Sequence, residues 1–320
     1  MRMFNRILLA SDFSPSADAA LLYAAAWARL SQARLLALHV VDTRVTALPR
    51  WTDVFRSTEV FAERHAAVSA ALQQLRSHPA LAGLQIDTFV QHGTPREHIV
   101  DMAAYVDLVV MGTRGTVEEK RQRTGKTAQY VAHGSPTPVL FVPAGGGTAG
   151  LPSAGAARLP FRHILLALHF ARYAPQAITL SRQLAATCRA TLQVLQVLEP
   201  DKIPSYPLEA GAGLYHNLDA IKILLRKRLA DIIGDDPAET PVDRLLLEGN
   251  PAEVIVRQST ESQAGLVVMS AHAYGLLRKF FAVSTVDMVL EQTSCPLLAV
   301  PLSPPSLPLT TAGIAAASAG

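Results

Sequence analysis

The chain is poor in cysteine, with only Cys188 and Cys295 among its 320 residues. The two cysteines lie at unrelated places in the second half, and Cys295 directly precedes the apolar segment 296–300. Disulfide scaffolds and metal sites need cysteines at regular or close spacing. We therefore predict two packed, inert thiols. None of the ten histidines has a cysteine or carboxylate partner at metal-ligand spacing, so we predict no metal site.

Long apolar runs and a strong charge of one sign are also missing. No uninterrupted run of about 18 apolar residues is present, and the first residues lead directly into a strand-like segment rather than a cleavable leader. We therefore expect a cytoplasmic protein that is not an integral membrane protein. The net charge of +3 is spread thinly. It falls short of the basic stripe of a nucleic-acid-binding protein, and we expect no nucleic-acid partner.

What the sequence does contain is an internal repeat. Four short segments recur in the same order at an offset of about 157 residues, and each copy is long enough for one domain. In the first copy they are Asp12–Pro15, Gly93–Pro95, Val109–Met111 and Pro138–Leu140, and in the second His169–Phe170, Gly249–Pro251, Val267–Met269 and Pro296–Leu298. We predict a first repeat at 1–143, a linker at 144–160, a second repeat at 161–302 and a disordered tail at 303–320.

Within each repeat, short runs rich in Val, Ile and Leu alternate with longer segments of helical periodicity. This pattern is typical of a parallel sheet covered by helices on both faces. The predicted strands are Ile7–Ala10, Leu35–Val41, Gln85–Val90, Leu108–Met111 and Val139–Val142, then Ile164–Leu168, Thr191–Leu198, Asp243–Leu247, Leu266–Met269 and Leu297–Val300. The predicted helices of the first repeat are Ala17–Leu30, Val60–Arg76, Arg96–Tyr105 and Thr127–His133. The predicted fold class is α/β, with two tandem doubly wound five-stranded parallel-sheet domains (order 3-2-1-4-5) related as an internal repeat.

A ligand site is expected where the loops after the first and fourth strands meet, because open α/β sheets bind ligands at the carboxyl ends of their strands. In the first repeat these loops hold Asp12 on one side and Gly112-Thr113-Arg114-Gly115 with Gly125-Lys126-Thr127 on the other. Glycines let backbone amides approach an anion, and a following helix N-terminus adds its positive dipole end. The spacing predicts a cradle for a polyphosphate. Asp12 as a simple helix cap is the structural alternative.

The charge of the second loop favours an anionic ligand as well. Its basic residues outnumber Glu118 and Glu119, although an ordinary solvated surface would look the same. These basic residues are Arg114, Lys120, Arg121, Arg123 and Lys126. The segment is not a P-loop, since Lys120 stands where that motif needs its first glycine.

Several of these residues together resemble the ATP-binding branch of the universal stress protein family. They are Asp12-Phe13-Ser14, His39-Val40-Val41-Asp42, Gly93-x-Pro95, and Gly112-x-x-Gly115 with a third glycine ten residues later. The resemblance covers residues 3–143 and 161–302. It implies ATP as cofactor, with or without Mg²⁺, bound by Asp12, Val40, Gly112, Arg114, Gly115, Gly125, Lys126 and Thr127. Family members carry Ser or Thr directly after the third glycine, so here either the charge of Lys126 or the hydroxyl of Thr127 would take that place.

The second repeat has lost this set of residues. It carries His169 for Asp12, Ser270 and Ala273 for the first two glycines, and Val283 followed by Ser284-Thr285 for the third. A β-branched residue is costly where a backbone must approach phosphate, and a neutral imidazole cannot replace a carboxylate as a double acceptor. We predict no ATP there, and the apolar Leu276-Leu277 and Phe280-Phe281 suggest packing instead.

The resemblance also implies pairing through the last strand of each domain. Pro138–Val142 and Pro296–Val300 would then pair within one chain as a pseudo-dimer, or between tandem chains in a homodimer.

The leading hypothesis is a cytoplasmic, ATP-binding stress-response regulatory protein with a structural second repeat. A slow ATPase or nucleotide-dependent enzyme is one alternative, although no nucleophile and base pair stands out. A structural, partner-binding protein without nucleotide is the other. The long connections Thr43–Thr58 and Pro200–Gly213 are either lids or partner surfaces, or surface loops without a role.

Overall fold

The computed structural model describes residues 3–42, 66, 68–115, 124–168, 175–200, 218–234, 241–271 and 284–302. They divide into two compact units. The first contains the residues up to Gly145 together with Leu151–Leu159, and the second contains Gly146–Gly150 and the residues from Pro160 onward.

The first unit is a five-stranded parallel sheet with helical crossovers. Its elements are β1 (Arg6–Ala10), α1 (Pro15–Ser31), β2 (Arg34–Asp42), α2 (68–76), β3 (Ile86–Gly93), α3 (Pro95–Ala103), β4 (Leu108–Gly112), α4 (Lys126–Gly134) and β5 (Val139–Val142). The strands pair in the order β3-β2-β1-β4-β5, all parallel. The order reverses between β1 and β4, so their carboxyl ends mark the switch point of the sheet.

The second unit repeats this topology. Its elements are β6 (His163–Leu168), α5 (Pro175–Cys188), β7 (Thr191–Leu198), α6 (Leu218–Ile233), β8 (Val242–Glu248), α7 (Pro251–Glu261), β9 (Leu266–Ala271), α8 (Thr285–Gln292) and β10 (Leu297–Pro301). The parallel order is β8-β7-β6-β9-β10. The predicted fold class is therefore confirmed. Among the helices described in either unit, none is long and apolar enough to cross a membrane.

The central strands explain why the sequence reads as unbroken apolar runs. Ile7, Leu8 and Leu9 in β1 and Val109 and Val110 in β4 have no exposed surface. A strand covered by helices on both faces must be apolar at successive positions, whereas a half-exposed strand alternates. The strands extend a little beyond their predicted ends. In β3 the extension reaches Gly93, because its parallel pairing with β2 continues to that residue.

Helix α1 begins as predicted. Ser14 is its N-cap, and the Ser14 hydroxyl accepts a hydrogen bond from the Ala17 amide at 3.3 Å. Pro15 occupies the first helical position, where a missing amide proton costs nothing. The chain therefore turns into the helix directly after β1.

The glycine that precedes α3 recurs before α7 for a backbone reason. Gly93 has φ +141° and Gly249 has φ +133°. Residues other than glycine rarely adopt these backbone angles. A Cβ at Gly93 would also lie 2.6 Å from the His98 ring nitrogen Nε2. These two glycines thus serve the turn between strand and helix in both repeats.

The predicted linker is partly structured. Residues Ala144–Ala149 form 3₁₀ turns. The Thr148 amide donates to the Ser294 carbonyl at 3.0 Å, and its hydroxyl donates to the Ala264 carbonyl at 2.8 Å. These bonds attach this part of the segment to the second unit.

The two cysteines form no disulfide within the described residues. Cys295 is buried, and burial raises the pKa of its thiol above the ordinary value, which keeps it protonated and unreactive. Cys188 at the end of α5 is partly exposed. The prediction of a packed thiol therefore fits Cys295 better than Cys188.

Several expectations concern residues outside those described. They are the tail 303–320, the segments Thr43–Thr58 and 201–213, the charged residues 118–121 and 123, and the second-repeat residues His169, Ala273, Leu276, Leu277, Phe280, Phe281 and Val283.

Candidate functional site

A cavity of about 150 Å³ opens at the carboxyl ends of β1, β2 and β4 in the first unit. It lies at the switch point of the sheet, where open α/β folds bind ligands. Its lining residues are Ala10, Ser11, Asp12, Leu38, Val40, Pro95, Ile99, Gly112, Thr113, Arg114, Gly115, Gly125, Thr127 and Ala128. Apolar side chains form part of the lining, and residues of the loop after β4 and of the first turn of the helix that follows form another part.

Asp12 stands at the exit of β1. Its Oδ1 accepts a hydrogen bond from the Ser14 amide at 3.1 Å, which carries the chain into α1. No partner of Oδ2 is found in the described part of the chain, and the side chain is exposed. The structural role and a ligand-binding role for Asp12 are therefore compatible, because each needs only one of the two oxygens.

The residue after Asp12 is strained and held by an aromatic contact. Phe13 has φ +59°, and its ring stacks on the His39 ring with centroids 4.8 Å apart. The His39 nitrogen Nδ1 donates to the Ser11 carbonyl at 2.8 Å, since a carbonyl oxygen can only accept. The stacked pair fixes the β1 exit beside the cavity. His39 therefore has a structural role at this strand end.

Gly112 ends β4 where the strand meets α1. A Cβ on this residue would lie 2.9 Å from both the Ser16 backbone carbonyl carbon and the Ser16 Cβ, and in closer contact still with the Ser16 hydroxyl. The glycine is thus required by the close approach of helix to strand.

The loop after β4 closes on the start of α4. The Gly125 amide donates to the Thr113 carbonyl at 2.9 Å, and the Thr113 amide donates to the Val142 carbonyl at 3.0 Å. Gly125 has φ −66° and ψ 139°, a conformation open to any residue. Gly125 thus does not need to be glycine for its backbone conformation.

Helix α4 presents an uncapped N-terminus to the cavity. Gly125 is its N-cap and has no side chain, so it gives no hydrogen bond to the first amides of the helix. Thr127 and Ala128 of the first turn line the cavity. An anion placed there would accept from these amides and interact favourably with the helix dipole.

The corresponding helix of the second unit has a side-chain N-cap. Ser284 occupies the repeat position of Lys126 and is the N-cap of α8, where its hydroxyl accepts from the Val286 amide at 3.2 Å. The helix therefore starts one repeat position later than α4. One of its first amides, that of Val286, already has an intramolecular acceptor.

Seven of the eight nominated residues surround the cavity, namely Asp12, Val40, Gly112, Arg114, Gly115, Gly125 and Thr127. The eighth, Lys126, is exposed on the first turn of α4 and is not among the lining residues. Sequence reasoning missed the apolar wall of Leu38, Pro95 and Ile99, because a strand interior and a helix start carry no binding signal of their own.

Metal ligands are scarce around this site. Across the ranges that the structure describes, no group of three His, Cys, Asp or Glu side chains could hold a metal ion.

The chain matches the universal stress protein family over residues 3–143 and again over 160–301. It belongs to that family and carries two copies of its domain. The "Universal stress protein in QAH/OAS sulfhydrylase 3′region" of Thermus aquaticus is 31% identical over 143 residues, which are 44% of this chain and 98% of that relative. This relative thus corresponds in length to one repeat.

Solved structures agree on the fold. The crystal structure of a universal stress protein from Archaeoglobus fulgidus covers 93% of this chain and 99% of its own, at 15% identity and a TM-score of 0.62. Another universal stress protein, solved in complex with cAMP, covers 45% of this chain and 98% of its own, at 15% identity and a TM-score of 0.31.

Proposed function

We propose that this protein is a cytoplasmic regulatory protein of the stress response, whose first repeat binds ATP and whose second repeat is structural. One observation carries the proposal. A single cavity combines the Asp12 carboxylate on one side with the uncapped N-terminus of α4 and a glycine-containing loop on the other. Hydroxyl groups and phosphates of one nucleotide need these two kinds of partner.

Each part of ATP has a matching wall. The free oxygen of Asp12 would accept from ribose hydroxyls, and the apolar side chains of Leu38, Val40 and Ile99 would lie against the base. The phosphates would lie at the first turn of α4, where the Thr127 and Ala128 amides are donors. Arg114, half-buried at the rim, would add its positive charge.

The second repeat is not expected to bind ATP. The Ser284 hydroxyl already accepts from the Val286 amide in the first turn of α8, so an anion at that amide would have to displace an internal hydrogen bond. Ser270 replaces Gly112, so the strand end carries a Cβ where the first repeat has none. We therefore propose that the second unit supports the first without nucleotide.

The proposal predicts one ATP per chain. Full-length protein is freed of nucleotide by gentle denaturation and refolding, and is then titrated with ATP in an isothermal calorimeter. A stoichiometry near one supports binding by the first repeat alone. A stoichiometry near two would contradict the structural role of the second repeat, and no binding would favour the partner-binding alternative.

The Lys126 position gives a second prediction. Thr127→Val should weaken ATP binding by about tenfold, because Thr127 lines the cavity and the change removes a hydroxyl that would bond a charged phosphate oxygen. Lys126→Met should weaken binding less than about threefold, since an exposed lysine outside the lining acts only through screened charge. Calorimetric titrations of the two variants are compared at physiological salt. A larger loss for Lys126→Met would assign the phosphate contact to the lysine instead.

A further inference from the structure

Two buried serines of the α1 N-terminus reach across to the loop after β4. Ser14 and Ser16 have no exposed surface. The Ser14 hydroxyl donates to the Arg114 carbonyl at 3.2 Å, and the Ser16 hydroxyl donates to the same carbonyl over a shorter distance. The two hydroxyl oxygens lie 3.2 Å from each other. One backbone oxygen in the loop thus receives two side-chain donors from another element.

The glycine at the end of β4 makes this contact geometrically feasible. A Cβ at Gly112 would collide with Ser16, so any other residue there would push α1 away from the loop. The hydroxyls could then no longer reach the Arg114 carbonyl. Gly112 and the two serines therefore act as one structural unit.

The bonded carbonyl fixes the amide on the other side of the same peptide. In a planar trans peptide the C=O of residue 114 and the N–H of residue 115 point in opposite directions. Holding the Arg114 carbonyl against α1 therefore sets the direction of the Gly115 N–H. Both Arg114 and Gly115 line the cavity.

The second repeat has lost all three residues. At an offset of 157 residues it carries Ala171 for Ser14 and Tyr173 for Ser16, and at an offset of 158 residues Ser270 for Gly112. The serine contacts are thus associated with the repeat that keeps the glycine loop.

We propose that Ser16, assisted by Ser14, is a positioning residue of the nucleotide site. By holding the Arg114 carbonyl it keeps the β4 exit loop in the shape that presents the Gly115 amide to a phosphate of the ligand. This inference rests on the proposed function for its ligand. The holding of the loop itself does not depend on any ligand.

The first test needs no nucleotide. Full-length Ser16→Ala is compared with Ser31→Ala, a matched change at the other end of α1, where the buried hydroxyl has no hydrogen-bond partner among the described residues. Amide hydrogen exchange of the segment Gly112–Gly115 should be about fivefold faster in Ser16→Ala, the effect of one lost hydrogen bond, and unchanged in Ser31→Ala. Equal exchange in both variants would overturn the positioning role.

The second test compares ATP with adenosine. Ser16→Ala should lower the ATP affinity by about fivefold and leave the adenosine affinity within about twofold, because the loop would contact phosphate and not the nucleoside. A uniform loss for both ligands, or no loss, would overturn the proposal. If the wild-type protein binds neither ligand, the proposed function is refuted. The role of Ser16 would then be decided by the amide hydrogen exchange of the segment Gly112–Gly115 alone.

Discussion

Gly112→Ala is expected to lower the unfolding free energy of the first unit by about 2 kcal/mol, as overpacking of a well-packed contact does. The added Cβ would lie 2.9 Å from the backbone carbonyl carbon of Ser16, which cannot rotate away as the end of a flexible side chain can. Helix α1 would have to shift relative to β4. The shift would also break the hydrogen bonds from the serine hydroxyls to the Arg114 carbonyl. The expected loss of unfolding free energy therefore has two causes, steric strain and broken hydrogen bonds.

Urea denaturation, monitored by tryptophan fluorescence, measures this loss of unfolding free energy for the first unit. Both tryptophans, Trp27 and Trp51, belong to the first repeat, and Trp27 is fully buried. Gly134→Ala is the matched control, because its Cβ would meet only side-chain atoms, the nearest being a Val100 methyl group at 3.2 Å. It should change the free energy by no more than about 0.5 kcal/mol. Equal midpoints for the two variants would show that the approach of α1 to β4 is not tight.

Gly125→Val is expected to reduce ATP affinity by at least about 100-fold, which corresponds to about 2.7 kcal/mol. The backbone of Gly125 is already in an extended conformation that valine adopts without strain. The isopropyl group would instead occupy the cavity wall at the start of α4, where phosphates are proposed to lie. The second repeat already carries valine at this position, as Val283.

Binding and folding must be measured together for this variant. Calorimetric titration with ATP gives the affinity, and the urea midpoint shows whether the first unit is still folded. Gly134→Ala, at the other end of α4 and outside the cavity lining, should bind ATP like the wild type. A folded Gly125→Val protein with unchanged affinity would refute the placement of the phosphates at this helix.

The fold was predictable from the sequence because buried strands appear as short apolar runs. Strands such as β1 and β4 are covered on both faces, so their successive buried positions must be apolar, and such runs are easily recognised in the sequence. The start of α1 was equally predictable, since Ser14 and Pro15 act within one turn of the chain. The helical start of the predicted linker was missed, because its bonds go to Ala264 and Ser294, far away in the sequence.

The candidate site was predictable in part. Asp12 and the glycines could be found because each lies directly after a strand, and parallel strands bring their carboxyl ends to one edge. The choice between Lys126 and Thr127 could not be made, because it depends on the position at which α4 begins. The helix starts at Lys126, which leaves this side chain exposed and places Thr127 on the cavity wall.

By itself the sequence determined the duplication, the two α/β sheets and the asymmetry between a repeat that keeps its glycines and one that has lost them. These properties follow from periodicity and residue type, which act over a few residues. Three features became visible only in the tertiary structure. They are the close contact that requires glycine at position 112, the hydrogen bond from the Ser16 hydroxyl to the Arg114 carbonyl, and the difference between α4 and α8 in the capping of their first amides. Each of these depends on a contact between elements distant in sequence or on a helix start set by packing, and no local pattern encodes such distances.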